Sequence, residues 1–429
     1  MVLAKLKIVR AAVFAVVLFH GWKASRGKSL PVSVLSLIGN LTAGQGFLGI
    51  VAGDVIGLMI LAGTIRYLRR LSLKTFDEIK NDILTSGYGV AMSLPFVESR
   101  VEDMMIKTER DLKKSLVPKT FEPNTRLPKE GKSGEEILEI MREFIGHESG
   151  KWQAGKVSGA VYHGGDEHLQ ILNEAASMYS LSNPLHPDIW PSLRQMESDV
   201  IKMTASMVEG SCYTVCGSFT SGGTESIILA TRAHKEYAAS KKGIYKPEVI
   251  ACVTAHAAID KACELLGIHL VRVPTVPGEY TIDVAAVEKA ISPDTVMIYT
   301  SAPQFPQGII DPIAAVSKLG VKYGVGVHVD ACLGGFVLPF ARKLGYKIPD
   351  FDFSLPGVTS MSVDTHKYGF AVKGSSVVLY RNKQLRRAQY FAYPRWTGGL
   401  YTTATIAGSR PGSTIPRRMN VFICNSVIF

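Results

Sequence analysis

Lys367 stands in the stretch Ser362-Val363-Asp364-Thr365-His366-Lys367-Tyr368-Gly369. It follows a histidine and a short apolar run at 358–363, so it sits where a strand ends and a pocket begins. An amine there can condense with an aldehyde cofactor, provided burial strips enough water from it to release its proton near neutral pH. A lysine in a turn is by default a solvated surface residue. The chemical reading therefore depends on what accompanies it upstream.

Three features do so, in order along the chain. Thr220-Ser221-Gly222-Gly223-Thr224-Glu225-Ser226 leads into the apolar run Ile227-Ile228-Leu229-Ala230. Glycines and hydroxyl residues opening a helix leave backbone N–H groups and the helix dipole free to hold a phosphate. The spacing is neither that of a Walker loop nor of a dinucleotide fingerprint, and a plain capped helix start has the same composition. His256 closes the run Val249-Ile250-Ala251-Cys252-Val253-Thr254-Ala255 and precedes a helical pattern at 257–266. A flat imidazole there can stack on a cofactor ring, and it can equally be a satisfied structural histidine. Asp330 closes Val325-Gly326-Val327-His328-Val329 and is followed by Ala331-Cys332-Leu333-Gly334-Gly335. That pattern is a buried parallel strand delivering a carboxylate at its C-terminal edge, where open α/β sheets bind ligands. A buried carboxylate needs a cationic partner, and a protonated pyridine nitrogen suits it; the alternative is a cap for the next helix.

Phosphate cup, stacking histidine, carboxylate and lysine together form the constellation of a pyridoxal 5'-phosphate (PLP) site in an aspartate-aminotransferase type I fold. The elements that must position it follow from periodicity. Strand-like runs occur near 247–256, 268–273, 295–301, 325–330, 358–363 and 375–380, with helical patterns between them such as 283–291 and 312–323. This is the βαβ rhythm of a mostly parallel, doubly wound sheet.

The chain has 429 residues, 46% of them hydrophobic, enough for one large α/β domain with extensions. Six cysteines, at 212, 216, 252, 263, 332 and 424, are scattered, and several lie in apolar runs. They read as reduced, buried thiols and not as a disulfide framework. Cys212 and Cys216 lack a second ligand pair, so no metal site is expected. The net charge of +11 is spread out, with local clusters beside the hydrophobic N-terminus and at 381–387. No recognition motif accompanies it, which argues against nucleic acid and for a solvated or membrane-facing surface.

The N-terminal region divides into two apolar stretches. Residues 8–19, flanked by Lys5, Lys7 and Arg10, imitate a signal peptide or form a shallow amphipathic helix. Residues 47–65 make a better membrane span, since their one charge is Asp54 and Arg66, Arg69, Arg70 and Lys74 follow. Nineteen residues can cross the hydrocarbon, and the trailing positive cluster puts the C-terminal side in the cytosol. Asp54 opposes that reading, because a carboxylate at mid-bilayer is costly, and a soluble apolar helix is the alternative. The expected organisation is an anchor region at 1–71, a charged helical linker at 72–150 broken by a Pro- and Lys-rich stretch at 118–132, a catalytic large domain at 151–412, and a tail at 413–429.

Five stretches carry a more specific resemblance. They are Ser182-Asn183-Pro184-Leu185-His186-Pro187-Asp188, Ser221-Gly222-Gly223-Thr224-Glu225-Ser226, Pro303-Gln304-Phe305-Pro306-Gln307-Gly308, His328-Val329-Asp330-Ala331-Cys332-Leu333-Gly334-Gly335-Phe336 and Asp364-Thr365-His366-Lys367-Tyr368-Gly369. From about 152 to 412 the chain resembles the sphingosine-1-phosphate lyases of the PLP-dependent group II decarboxylase family. The cofactor core alone would fit amino acid decarboxylases. The Asn183 segment and Ala407-Gly408-Ser409-Arg410-Pro411-Gly412 point to the lyases.

The resemblance implies retro-aldol cleavage of a sphingoid base 1-phosphate to a long-chain aldehyde and phosphoethanolamine. It implies that Lys367, Asp330 and His256 are catalytic, and that Gly223, Thr224, His256, Asp330, His366 and Lys367 hold the cofactor. Tyr162, Asn183, His186, Lys373 and Ser409 would hold the substrate head group. Core packing for Tyr162 and an exposed loop for Lys373 are the bland alternatives. It implies a homodimer, in which the loop Gly398-Gly399-Leu400-Tyr401 approaches the partner's site. It also implies a single membrane span in the endoplasmic reticulum, with the catalytic domain cytosolic. After Gly412 the likeness stops, where the family continues into a small C-terminal domain. Loss of that domain is expected to expose apolar surface and impair activity, leaving an inactive, membrane-anchored binding or regulatory homologue as the competing reading.

Overall fold

The computed structural model describes Gly57, Thr64 and residues 95–116 and 125–417. The chain divides into two compact units, Met1–Gly131 and Lys132–Phe429. In the first, α1 spans Pro95–Leu116. The expected membrane span at 47–65 lies outside the described residues apart from Gly57 and Thr64. Among the described residues no helix is long and apolar enough to cross a membrane.

The second unit opens with α2 (Gly134–Gln153), started by a capping box in which Ser133 and Glu136 satisfy each other's backbone N–H groups. Then come α3 (Asp166–Met178), α4 (Pro191–Met207), β1 (Cys216–Thr220) and α5 (Gly223–Lys242). They are followed by β2 (Glu248–Cys252), α6 (Ala258–Leu266), β3 (His269–Val273), α7 (Val284–Ala290), β4 (Thr295–Ser301) and α8 (Ile313–Tyr323). The chain continues through β5 (Gly326–Asp330), α9 (Leu338–Lys343), β6 (Val358–Val363), β7 (Ser376–Tyr380) and α10 (Lys383–Arg387). The last named elements among the described residues are the hairpin strands β8 (Phe391–Tyr393) and β9 (Tyr401–Thr403) and a 3₁₀ turn, Gly412–Thr414.

The seven-stranded sheet has the order β1-β7-β6-β5-β4-β2-β3. Strands β3, β2, β4, β5 and β6 pair in parallel, whereas β7 runs antiparallel to both β6 and β1. The mostly parallel sheet expected from the sequence is present, and all six expected strands exist. Strand β1 and the β8–β9 hairpin were not among them. The run at 216–220, Cys-Gly-Ser-Phe-Thr, is a strand because tertiary pairing with β7 overrides its weak local signal.

Alternation along the strands explains why helices cover both faces. Val249, Ala251, Met297 and Tyr299 pack with α5 and α6, while Ile250, Cys252, Ile298 and Val327 pack with α7 and α8. Period-two side chains sort to opposite faces, and each face then needs its own apolar cover. Of the cysteines, Cys252, Cys263 and Cys332 are buried thiols as expected, but Cys212 is exposed and Cys216 is half-buried.

The register brings the motifs to one edge. Thr220 pairs with Ser376, Val363 with Val377, Ser362 with Asp330, and Asp330 with Ser301. The Gly222–Gly223 turn, Asp330 and the loop bearing Lys367 therefore leave the sheet along the same side, next to the end of β2.

Candidate cofactor site

The loop after β6 bends so that Lys367 Nζ lies 3.1 Å from Asp364 Oδ2. Burial disfavours the ammonium, but the acidic groups Cys332, Asp364 and Asp330 outweigh it and raise the Lys367 pKa above the ordinary lysine value. Burial also drives the Cys332 thiol well above its usual range, so at neutral pH it is a neutral thiol and the 3.1 Å contact with Asp364 is what favours the ammonium. This corrects the expectation that burial alone would free the amine. In this geometry Lys367 is a paired ammonium.

Asp364 is itself buried, and its Oδ1 has no hydrogen-bond partner. Both of its carboxylate oxygens would lie 2.9 Å from a Cβ built on Gly223, and Cys332 Sγ would lie 2.7 Å away. Glycine is required there, because the start of α5 presses against the lysine loop. A chain of hydroxyls ties the same turn to the sheet. Thr220 Oγ1 and Ser226 Oγ are 2.7 Å apart, Ser226 and Ser376 Oγ are 2.8 Å apart, and Ser376 Oγ donates to the Val363 carbonyl at 3.2 Å. Glu225 closes the turn by accepting the Ser221 N–H at 2.6 Å. Thr224 is left exposed, with the first N–H groups of α5 unclaimed by the helix.

His366 donates its Nδ1–H to the Ser375 carbonyl, which leaves Nε2 facing Asp364 Oδ2 at 3.8 Å. Burial lowers its pKa, with Asp364 opposing. Asp330 is buried at the tip of β5. It accepts the Tyr299 hydroxyl on Oδ2, and on Oδ1 the Cys332 N–H at 3.0 Å and the Ser362 hydroxyl at 3.2 Å. Burial by itself would raise the Asp330 pKa, and the Tyr299 and Cys332 hydrogen bonds with the Lys367 charge more than offset it, so the group is a carboxylate. Burial and Asp330 push the Tyr299 phenol well above its usual range and keep it a donor.

His256 lies past the end of β2 with an exposed ring, and its Nδ1 accepts the Ala258 N–H at 3.0 Å. No hydrogen bond joins it to Lys367 or Asp330 among the described residues. The substrate candidates fall into two groups. Lys373 Nζ stands 4.7 Å over the Tyr162 ring, which meets Tyr368 edge-on at 5.2 Å. Burial lowers the Lys373 pKa, and the like charge of Lys367 adds to it. Burial raises that of Tyr162, with Lys367 opposing. Both side chains thus gather against Tyr368, the residue that follows Lys367. In the second group, Asn183 Nδ2 donates to Ser409 Oγ at 3.0 Å. His186 follows on the same turn, exposed, its ring 6.5 Å from Trp190.

Sequence reasoning missed Asp364, although its spacing from Lys367 allowed a contact within one turn. It also missed Tyr299, whose role depends on the β4–β5 register, and the Arg410–Glu197 ion pair, which no local pattern announces.

A family profile described as the pyridoxal-dependent decarboxylase conserved domain matches residues 118–393. The chain belongs to that family. Its relatives include the sphingosine-1-phosphate lyase of Dictyostelium discoideum, 45% identical over 86% of this chain and 66% of the relative. That of Saccharomyces cerevisiae is 42% identical over 81% of this chain and 59% of the relative. A solved sphingosine-1-phosphate lyase from Burkholderia pseudomallei superposes with a TM-score of 0.69 at 40% identity, covering 71% of each chain. The chain spans 66% or less of the length of these two curated relatives.

The residues present fit pyridoxal phosphate. A buried carboxylate with a free oxygen flanks the lysine, a glycine-built helix start offers N–H donors, and an ionised Asp330 lies on the neighbouring strand.

Proposed function

We propose that this chain is a PLP-dependent carbon–carbon lyase that cleaves sphingosine or sphinganine 1-phosphate to a long-chain aldehyde and phosphoethanolamine. The observation that carries the reading is the gathering of Lys373 and Tyr162 against Tyr368, next to Lys367. With Lys367 already paired to Asp364, Lys373 is the cation left beside the lysine loop, and together with the Tyr162 hydroxyl it suits a phosphate. The names of the relatives agree.

Lys367 would hold the cofactor covalently, Asp330 its ring nitrogen, His256 its ring face, and Gly223, Thr224 and His366 its phosphate. When bound, pyridoxal phosphate supplies an electron sink for the bond broken at the amine-bearing carbon. The side chains do the rest. Lys367 Nζ would be the base placed to take the proton of the hydroxyl next to the amine-bearing carbon. Asp364 Oδ2 can steady the resulting ammonium. Asp330, kept ionised by Tyr299, Cys332 and the Lys367 charge, would present fixed negative charge to the ring. Tyr162, Lys373, Asn183, His186 and Ser409 would orient the head group.

Residues 47–65 are assigned as a membrane anchor that leaves the site on the cytosolic side of the endoplasmic reticulum. The exposed hairpin around Leu400, itself 70% accessible, is assigned as a contact between two copies. Retention of the chain in membranes after alkaline extraction, lost on deleting 47–65, tests the anchor.

The function is tested by incubating the chain in detergent with PLP and sphinganine 1-phosphate and measuring long-chain aldehyde. Aldehyde release supports the proposal. Carbon dioxide release from an amino acid, with no aldehyde from the lipid, would replace it with a decarboxylase.

A further inference from the structure

The lyase reading leaves unexplained how two segments far apart in sequence, around Asn183 and Ser409, are held in one geometry. Glu197, on α4, meets Arg410 fork to fork, with Nη1 to Oε1 at 2.9 Å and Nη2 to Oε2 at 3.3 Å. Both side chains are largely covered, at 20% and 23% exposure, where a bidentate pair is stronger and more directional than on an open surface. The Arg410 backbone N–H then donates to Asn183 Oδ1 at 3.3 Å, which also accepts the Leu185 N–H at 3.0 Å. Two residues on, the Gly412 N–H donates to the Ser182 carbonyl at 2.9 Å. A Cβ at Gly412 would meet Ser182 Oγ at 2.1 Å, so only glycine permits this approach.

The network determines where donors point. With both N–H donors on its oxygen, Asn183 must turn its amide nitrogen to Ser409, and Ser409 Oγ accepts that bond. The Ser409 hydroxyl hydrogen is then left to donate outward from an exposed position. A hydroxyl donor and an amide hydrogen aimed together suit the oxygens of a phosphate.

We propose that Glu197 is a positioning residue for the substrate's phosphate: through Arg410 it clamps the Ser409 segment onto Asn183 and so aims their donors. The proposal rests on the lyase reading for the identity of the ligand, while the clamp itself does not. None of its bonds reaches Lys367, and the Ser409 segment meets the α5 start only through the Ile406 N–H, which donates to Glu225 Oε1 at 3.1 Å, so the clamp should act on head-group binding and leave cofactor capture alone.

The test uses the full chain loaded with PLP, and compares binding of phosphoethanolamine with that of ethanolamine. Glu197→Gln keeps the shape but loses the charge. It should weaken phosphoethanolamine about tenfold and leave ethanolamine and PLP capture unchanged. Glu197→Arg combined with Arg410→Glu should restore most of the loss seen in either single variant. Equal losses for both ligands, or none, would overturn the positioning role. Hydrogen exchange at 405–412 reads the clamp directly and should speed up in Glu197→Gln; unchanged exchange would overturn the clamp. If the unaltered chain binds neither ligand while exchange responds as expected, the lyase reading and the phosphate role fail and the clamp stands.

Discussion

Lys367 Nζ and Asp364 Oδ2 form a 3.1 Å ion pair within a single turn of the loop after β6, with the carboxylate almost wholly covered. The amine that must be neutral to react is thus held charged by its own neighbour. Asp364→Asn should lower the Lys367 pKa, because an opposite charge at this range shifts a group by about 1–3 units. The pH profile of PLP capture, followed by absorbance, should then move about one unit or more toward acid. An unmoved profile would show that Asp364 does not control the amine.

Lys367→Ala should abolish covalent attachment of PLP. Borohydride reduction followed by peptide mapping should label Lys367 in the unaltered protein and no lysine in the variant. Trapping on another lysine, Lys373 included, would remove Lys367 from its role.

Asp330→Asn should fold, since an amide oxygen can still accept the Cys332 N–H and the Ser362 hydroxyl. It loses the fixed negative charge next to the cofactor ring, and turnover should fall by about a hundredfold or more, the scale on which preorganised charge acts. Near-normal turnover in a folded variant would refute the assignment.

Acid should destabilise the large unit through two buried histidines. His234, bonded to the Ala230 carbonyl at 2.8 Å and to Thr359 Oγ1 at 2.9 Å, is pushed by burial from the usual 6.5 to about 4. His328 is pushed by burial to about 3. The native state therefore holds both rings neutral, and the unfolded chain takes up their protons first. The stability they contribute is complete above 6.5 and is lost as pH falls toward those lowered values. The slope approaches about 1.4 kcal/mol per pH unit for each ring. Urea midpoints at pH 7 and pH 5 should show a smaller drop in His234→Gln than in the unaltered protein. An equal drop would exclude His234.

The sequence by itself determined six of the seven strands of the main sheet and the order of the chemical residues. Alternation in Val249 to Cys252 and in β4 follows from backbone geometry, so two-sided burial was legible without coordinates. The positions of Asp330 and Lys367 past apolar strands were legible for the same reason. Cup, histidine, carboxylate and lysine could be read as one site because parallel strands share a C-terminal edge. Only the tertiary structure decided what those residues touch. The antiparallel insertion of β7 between β6 and β1 sets Gly223 against Asp364, and the β4–β5 register sets the Tyr299 hydroxyl on Asp330. Packing joins Asn183 to Ser409 and Glu197 to Arg410 across more than two hundred residues. Such contacts carry no local period, because they arise from where whole elements come to rest. The charge on Lys367 belongs with them: burial was foreseeable from the pattern, but the carboxylate that reverses its effect became visible only in the folded loop.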